Sequence, residues 1–402
     1  MKRKIILTTL LLLSVLPCLR GQRKEMSQAR SYLKSGKDFD KAEKLMEDLL
    51  SKDSSNRMNP KIYLILYQAV SKQYEAGNEK LYLKEKYDTS MLFNLTKKMF
   101  NILETLDSVD MTLNGNKGKK LDYRDKHAAE LNSYRPNLYF GGAYYIRKKD
   151  FKTAFSFFDT YLNCGKQPLF DKYKYWETDP KMPNAAFWAT YCGFKLNSPD
   201  STLMYADVAL KDTTTHRAAL VYVSTAYNIL GEKDKYRHLL KTGFDKYKDS
   251  PYFFSHLMDC YTTDNELDSA LYTVNKALEA DDDNTLFLFA KSTVLLNKGC
   301  YDECIKVGET LINLNDTLPD AYYNVGTAYI NKGLALIRKE KSRQGRAGLK
   351  ALYRKALPYM EQYRKLAPQA KDKWGPALYR LYLMLNMGKE FDEIDALLNE
   401  KN

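Results

Sequence analysis

The sequence predicts an all-α fold built from repeated pairs of helices. Similar segments recur about every 34 residues, a spacing typical of a helix–turn–helix unit. Examples are DAYYNVGTAYINKG at Asp320–Gly333, NLYFGGAYYIRKKDFKTA at Asn137–Ala154 and ALYTVNKALEADDDN at Ala270–Asn284. Few runs alternate apolar and polar residues, which argues against strands. The 32 tyrosines suit the space between packed helices, because the ring is apolar and the hydroxyl can reach water.

Residues 1–21 have the pattern of a secretory signal peptide. A basic start at residues 2–4 precedes an apolar run from Ile5 to Leu16, and the small Gly21 suits cleavage. The run is too short for a comfortable membrane span. We therefore expect an exported mature protein that begins at Gln22 and lies in the periplasm or elsewhere in the cell envelope.

Cys18 raises the alternative of a lipoprotein. A lipobox requires a small residue directly before its cysteine, and Pro17 stands there. A lipid anchor is therefore not favoured, although lipidation at Cys18 stays open as an alternative. No later apolar run is long enough to span a bilayer, so we expect no transmembrane span.

The chain is basic, with a formal net charge of +13 at pH 7. Four basic residues and no acidic residue lie within residues 1–21, so cleavage lowers the charge to +9 (13 − 4). A basic exported protein can meet anionic envelope surfaces, whereas nucleic acid is not an expected partner there. The default interpretation of this charge is a solvated surface.

The N-terminal part of the mature chain, 22–134, is predicted to be an irregular helical region. It contains one repeat-like unit at 23–56. Residues 60–134 have helical periodicity but do not follow the repeat register. Tyr82–Leu113 is predicted to form one long helix or two, and Asn114–Lys120 a flexible basic loop.

The remainder, 135–402, is predicted to be an array of repeats that ends in capping helices. Nearly contiguous matches lie at 135–168, 183–216, 217–250, 251–284, 285–318 and 319–368. A last helical pair is predicted from Trp374 to Leu398 with Gly388 at its turn. The aromatic segment Asn163–Pro183 is expected to pack back onto the helices, and the basic segment Arg338–Lys350 to form a surface protrusion.

The array resembles the tetratricopeptide repeat (TPR) family. In 135–168 the matching positions are Leu138, Gly142, Tyr145, Phe151, Ala154, Phe158 and Pro168. The resemblance implies a right-handed superhelical solenoid of antiparallel helix pairs, with a concave face lined by the first helix (helix A) of each pair. The alternative is an irregular helical bundle with the same apolar period.

The resemblance also implies a partner-binding surface. In this family, positions 2, 5, 9, 12 and 13 of helix A face the groove. The candidate partner-binding residues at these positions are Tyr139, Phe187, Tyr191, Phe194, Asn228, Tyr252, Phe289, Asn297, Tyr323 and Asn331. Aromatic and amide side chains suit an extended peptide, an apolar helix or a glycan, but many of these rings can instead pack between helices. Whether the groove or 338–350 is the binding site stays open.

The five cysteines of the mature chain are predicted to be free thiols that fill small packing sites. Their odd number argues against a complete disulfide framework, and Cys192, Cys260 and Cys304 fall at positions where the repeat holds a small residue. The pattern contains no paired zinc-ligand spacing and no catalytic motif. We therefore expect no metal, no cofactor and no enzymatic activity.

These observations predict an exported, periplasmic TPR scaffold that binds a protein or peptide of the cell envelope through its concave face. The alternative is a glycan- or ligand-binding envelope component associated with an outer-membrane uptake system. Partner identity, oligomeric state and pathway do not follow from the pattern.

Overall fold

The computed structural model describes residues 22–115, 121 and 123–399. The predicted signal peptide, with Cys18, and residues 116–120 of the predicted basic loop lie outside the described residues. All regular secondary structure in the described part of the chain is helical. The chain divides into two compact units, Met1–Gly231 (unit 1) and Glu232–Asn402 (unit 2).

Unit 1 contains the helices numbered α1 to α11. Their bounds are α1 (22–35), α2 (Phe39–Lys52), α3 (Pro60–Tyr82), α4 (Thr89–Leu113), α5 (Arg124–Arg147), α6 (Phe151–Asn163), α7 (Tyr175–Thr178), α8 (Met182–Lys195), α9 (Pro199–Leu203), α10 (Ala206–Ala209) and α11 (His216–Ile229). Short 3₁₀ helices cover Ser54–Met58, Cys164–Lys166 and Pro168–Tyr173.

Successive helices of unit 1 pack mainly on their neighbours along the chain. Short connections make such neighbours antiparallel. The contact of α5 with α6 shows why small residues are needed, because a Cβ at Gly142 would lie 2.6 Å from the Phe158 ring. Phe100, Phe157 and Phe158 are fully buried and fill the core between these layers.

Tyr82–Leu113 does not form a single helix. Helix α3 ends at Tyr82, and Lys84 adopts a left-handed backbone with φ of 60°. The Asp88 carboxylate then accepts a hydrogen bond from Ser90 N at 2.9 Å and caps α4. This N-cap explains why α4 begins at Thr89.

The segment Asn163–Pro183 packs against the helices of unit 1, as predicted. Phe170 is 2% exposed, and its ring centroid lies 5.9 Å from that of Phe100 in α4. Tyr175 is also buried. Burial of these rings contributes favourable free energy, which offsets the cost of ordering the irregular backbone of the segment.

The repeat register and the helix boundaries differ at two places in unit 1. The predicted start of the array, at 135, falls inside α5, which begins at Arg124. The second helix of 183–216 is divided into α9 and α10. Tyr205 lies at this break, is buried, and donates a 2.6 Å hydrogen bond to Asp159 Oδ1 in α6. The division of the chain at 134/135 stays a prediction.

Unit 2 contains the helices numbered α12 to α20. Their bounds are α12 (Lys233–Lys246), α13 (Pro251–Thr263), α14 (Leu267–Leu278), α15 (Thr285–Lys298), α16 (Tyr301–Leu314), α17 (Pro319–Lys339), α18 (Arg343–Leu366), α19 (Lys371–Leu385) and α20 (Gly388–Asn399). Each helix packs on its neighbours along the chain, and α15 also packs on α17. The predicted fold of successive antiparallel helix pairs is therefore present in each unit, and the predicted terminal pair is α19 and α20.

The basic segment Arg338–Lys350, expected as a surface protrusion, is mostly helical. It is a helical extension of the α17–α18 pair, interrupted only at residues 340–342. Leu349 is buried, and a Cβ at Gly348 would lie 2.7 Å from the Leu336 side chain. Most of its basic side chains remain exposed around the turn. Among the described helices, none is both long enough and apolar enough to cross a membrane.

Candidate functional site

A buried arginine in α5 holds together the helices that carry the candidate site. Arg135 is 5% exposed, and its guanidinium lies between two rings, 3.7 Å from the Tyr161 centroid and 3.8 Å from the Tyr175 centroid. Its Nη1 donates to Asp179 Oδ2 at 2.6 Å, and the Tyr161 hydroxyl donates to the same oxygen at 2.6 Å. The cation is therefore paired and stacked, although its Nε has no hydrogen-bond partner in the described part of the chain.

Asp179 also positions the next helix. Its other carboxylate oxygen accepts a hydrogen bond from Lys181 N at 2.9 Å, directly before α8. Burial alone would raise the pKa of this carboxyl, but hydrogen bonds from Tyr161 and Arg135 lower the pKa overall. The charged form thus holds the start of α8 against α5 and α6.

Helices α8 and α11 together carry a cluster of rings. Tyr222 of α11 contacts Phe194 at 4.5 Å between centroids and Tyr191 at 5.6 Å. Trp188 meets Tyr191 edge-on at 5.6 Å. These three α8 side chains and Tyr222 are all half-buried, so each presents part of its ring to the outside.

Tyr139 joins α5 to this cluster through a polar chain. Its hydroxyl donates to Asn184 Oδ1 at 2.6 Å, and Asn184 Nδ2 donates to Asp212 Oδ2 at 3.0 Å. Burial tends to raise the pKa of Asp212, but hydrogen bonds, the first from Asn184, lower it overall. These hydrogen bonds hold α5, α8 and the start of α11 in place relative to one another. We call Tyr139, Trp188, Tyr191, Phe194 and Tyr222 the unit 1 aromatic face.

Two exposed lysines border the unit 1 aromatic face. Lys181 Nζ lies 5.5 Å from the centroid of Tyr139 and 5.4 Å from that of Phe140. Lys195 Nζ lies 5.5 Å from the Tyr191 centroid. An apolar, ring-lined surface with cations at its edge suits an apolar or aromatic segment flanked by acidic groups.

The candidate partner-binding residues of unit 1 have unequal exposure. Tyr139, Tyr191 and Phe194 lie on the unit 1 aromatic face. Phe187 is only 5% exposed, so its ring supports the face from below. Asn228 is exposed near the end of α11.

The candidate residues of unit 2 have different surroundings. Tyr323 packs on Tyr363 of α18 at 5.1 Å between centroids, and Phe289 borders a cavity of about 270 Å³ with Leu318 and Pro319. Tyr252 lies 4.4 Å from His256 between ring centroids. Asn331 is half-buried and Asn297 exposed.

A buried side-chain amide also forms hydrogen bonds between two helices of unit 2. Asn324 is 4% exposed, and its Nδ2 donates to Ser292 Oγ at 2.9 Å and to Thr293 Oγ1 at 3.0 Å. This contact joins α17 to α15. It is a structural contact, because it consumes both donors of a side chain that is almost wholly buried.

Sequence reasoning missed Phe140, Trp188 and Tyr222. All three occupy position 6 of their repeats, counted from 135, 183 and 217, whereas the expected groove positions were 2, 5, 9, 12 and 13. Phe140 is 49% exposed. The recurrence of a large ring at position 6 in three successive repeats was a readable signal. In the next repeats the same position holds His256, Ala290 and Asn324.

The cysteines occupy packing positions. Cys164, Cys192 and Cys304 are buried, and Cys260 and Cys300 are partly exposed. All five are free. The described residues contain no cluster of three or more His, Cys, Asp or Glu side chains that could hold a metal ion.

Comparison with known proteins yields similarity only to solved structures. No protein-family model and no curated protein matches the chain. The chain is similar to a structure described as "YrrB: a TPR protein with an unusual peptide-binding site", with 17% identity over 49% of this chain and 92% of YrrB, at a TM-score of 0.36. It is also similar to MamA, with 16% identity over 48% of this chain and 95% of MamA, at a TM-score of 0.36.

Proposed function

We propose that the protein is a non-catalytic interaction scaffold whose unit 1 aromatic face binds a protein segment. The observation that carries the proposal is the convergence of rings from α5, α8 and α11, which contact one another and are joined by the part-buried hydrogen bonds of Tyr139, Asn184 and Asp212. Rigid, partly exposed tyrosine and tryptophan side chains are the commonest anchors of binding energy. The preferred segment is extended or helical, carries apolar or aromatic side chains, and has acidic residues that reach Lys181 and Lys195.

The proposed place of action is the periplasm or another part of the cell envelope. This part of the proposal rests on the signal-peptide pattern of residues 1–21 alone. Fractionation of cells with the native N-terminus intact tests it. Retention of an uncleaved chain in the cytoplasm would contradict export without affecting the binding proposal.

Selection from a displayed random peptide library tests the binding proposal directly. We expect enrichment of peptides with at least one aromatic or large apolar residue beside Asp or Glu. Affinities of the selected peptides are then measured by fluorescence polarisation. Trp188→Ala and Tyr191→Ala, made singly, should each weaken binding by about 2 kcal/mol, the typical cost of truncating an aromatic anchor.

Tyr272→Ala is the matched control, because Tyr272 is an aromatic residue of α14 in unit 2 with 66% exposure. It should leave peptide affinity unchanged. The proposal is overturned if the Trp188 and Tyr191 variants bind the selected peptides as well as the parent protein. Selective binding of neutral oligosaccharides by the parent protein, lost in the same variants, would instead favour the glycan-binding alternative.

A further inference from the structure

A separate cavity lies at the N-terminal end of unit 1, between α1, α3 and α5. Its volume is about 760 Å³, within the range of small-molecule sites. Arg30 and Lys34 border it from α1, and Lys126 borders it from α5. The aromatic side chains that line it are Tyr67, Tyr123 and His127. It shares no residue with the unit 1 aromatic face.

The rim of this cavity has an excess of positive charge. No ion pair joins Arg30, Lys34 or Lys126 to any residue that the structure describes. Lys72 also borders the cavity, but its Nζ is 2.5 Å from Glu75 Oε2. Among the described residues that line the cavity, Glu130 is the only acidic one. Such a rim favours an anionic occupant.

The floor of the cavity combines stacked rings with an unsatisfied hydroxyl. Tyr123 and His127 stack at 5.7 Å between centroids with 10° between their planes, and Tyr67 lies 5.9 Å from His127. Tyr67 is 6% exposed, and its hydroxyl lies near Ser71 and Glu130 but makes no hydrogen bond of regular geometry within the described part of the chain. A buried hydroxyl without a partner is uncommon and calls for an explanation. Burial also lowers the pKa of His127, so the floor itself favours a neutral imidazole.

We propose that this cavity binds a small organic anion, with a carboxylate, sulfonate or phosphate group attached to a flat, ring-containing body. The anionic group lies among Arg30, Lys34 and Lys126. The body packs on Tyr123 and His127, and a polar atom of the ligand satisfies the Tyr67 hydroxyl. A small molecule is favoured over a peptide because the cavity volume of about 760 Å³ matches that of small-molecule sites.

A matched pair of fluorescent probes tests the proposal on the purified protein. Anilinonaphthalene sulfonate carries the proposed anionic group on an aromatic body, and phenylnaphthylamine has the same body without the charge. We expect the sulfonate to bind in a one-to-one complex and the neutral compound to bind roughly tenfold more weakly or not at all. Equal affinity for the two probes would overturn the charge assignment.

Substitutions locate the binding site. Arg30→Gln and Lys126→Gln should each weaken sulfonate binding severalfold, and the loss should diminish at high salt. Tyr67→Phe keeps the ring, removes a hydroxyl that makes no hydrogen bond of regular geometry within the described part of the chain, and should weaken binding without lowering thermal stability. Lys248→Gln is the control, because Lys248 borders a different cavity, in unit 2. Unchanged binding in the Arg30 and Lys126 variants, or an equal loss in the Lys248 variant, would overturn the proposal.

Competition distinguishes the chemical source of the anion. Benzoate should displace the sulfonate probe more effectively than inorganic phosphate, because only benzoate brings a ring to Tyr123 and His127. Displacement by a hexaglutamate peptide at far lower concentration than benzoate would reassign the cavity to an acidic peptide and overturn the small-molecule proposal.

Discussion

Arg135 shows how one residue organises a region that has no regular repeat. Its partner Asp179 lies 44 positions away in the chain, and the two stacked rings come from α6 and α7. The same carboxylate receives the Tyr161 hydroxyl. A single buried ion pair thus connects α5, α6 and the aromatic segment that leads into α8.

We predict that Arg135→Leu destabilises the protein by about 3–5 kcal/mol, because it leaves Asp179 as an unpaired, largely buried charge. Urea denaturation followed by circular dichroism measures the loss. Asp179→Asn in the Arg135→Leu background should recover part of it. Strictly additive effects of the two substitutions would contradict the proposed coupling.

Glu104 is half-buried, and its carboxylate Oε1 is buried with no hydrogen-bond partner in the described part of the chain. Burial, and secondarily the Asp159 carboxylate, raise its pKa to about 7. The unfolded side chain ionises near pH 4.3. Between these two values the folded protein binds more protons at this site, so the stability that Glu104 contributes is lost as pH rises through about 7.

We therefore predict that Glu104→Gln raises the free energy of unfolding at pH 8 by about 2 kcal/mol and flattens its dependence on pH between about 4.5 and 7.5. Denaturation curves at several pH values check this. Glu85→Gln, at an exposed position between α3 and α4, should change neither quantity. An unchanged pH profile in the Glu104 variant would refute the assignment.

At the level of helices, close approach between backbones decides which positions must be glycine. Gly193 of α8 packs directly on the backbone of α9, and a Cβ there would lie 2.6 Å from the carbonyl carbon of Ser201. Backbone atoms cannot move aside as the end of a flexible side chain can. This contact accompanies the division of the second helix of the repeat into α9 and α10.

We predict that Gly193→Ala destabilises the protein by about 1–3 kcal/mol, because the added methyl group forces α9 away from α8. Thermal or urea unfolding measures this. Gly388→Ala is the control, since a Cβ at Gly388 of α20 would meet nothing within 4 Å. It should be neutral or slightly stabilising, and equal losses at both positions would contradict the packing argument.

At the scale of the whole chain, the reactivity of the cysteine thiols measures how well each unit is packed. Cys164 and Cys192 lie in unit 1 and Cys304 in unit 2, and all three are buried. Burial raises the pKa of Cys192 and of Cys304 to about 12. Since the thiolate is the reactive form, these thiols are protected by both access and ionisation.

We predict that Ellman's reagent at pH 8 labels at most the two partly exposed cysteines, Cys260 and Cys300, in the folded protein. In denaturant without reductant, all five described cysteines should react. Mass spectrometry of the labelled peptides identifies the sites. Rapid labelling of Cys192 or Cys304 under native conditions, or disulfides in the denatured protein, would contradict this packing.

Periodicity along the chain was sufficient to predict the helical hairpins and the terminal pair from Trp374 to Leu398. These features are local, because apolar spacing, capping residues and turn residues act within one helix pair. The partner-binding set stays a prediction. Tyr139, Tyr191 and Phe194 lie on the unit 1 aromatic face, and Phe187 lies beneath it.

Contacts between distant segments decided the rest. They determined the break between α9 and α10 and the partial exposure of the rings at position 6. The cavity between α1, α3 and α5 depends on residues from Arg30 to Glu130. A helical period specifies which side of a helix is apolar, but only the packed neighbours determine which part of that side remains uncovered.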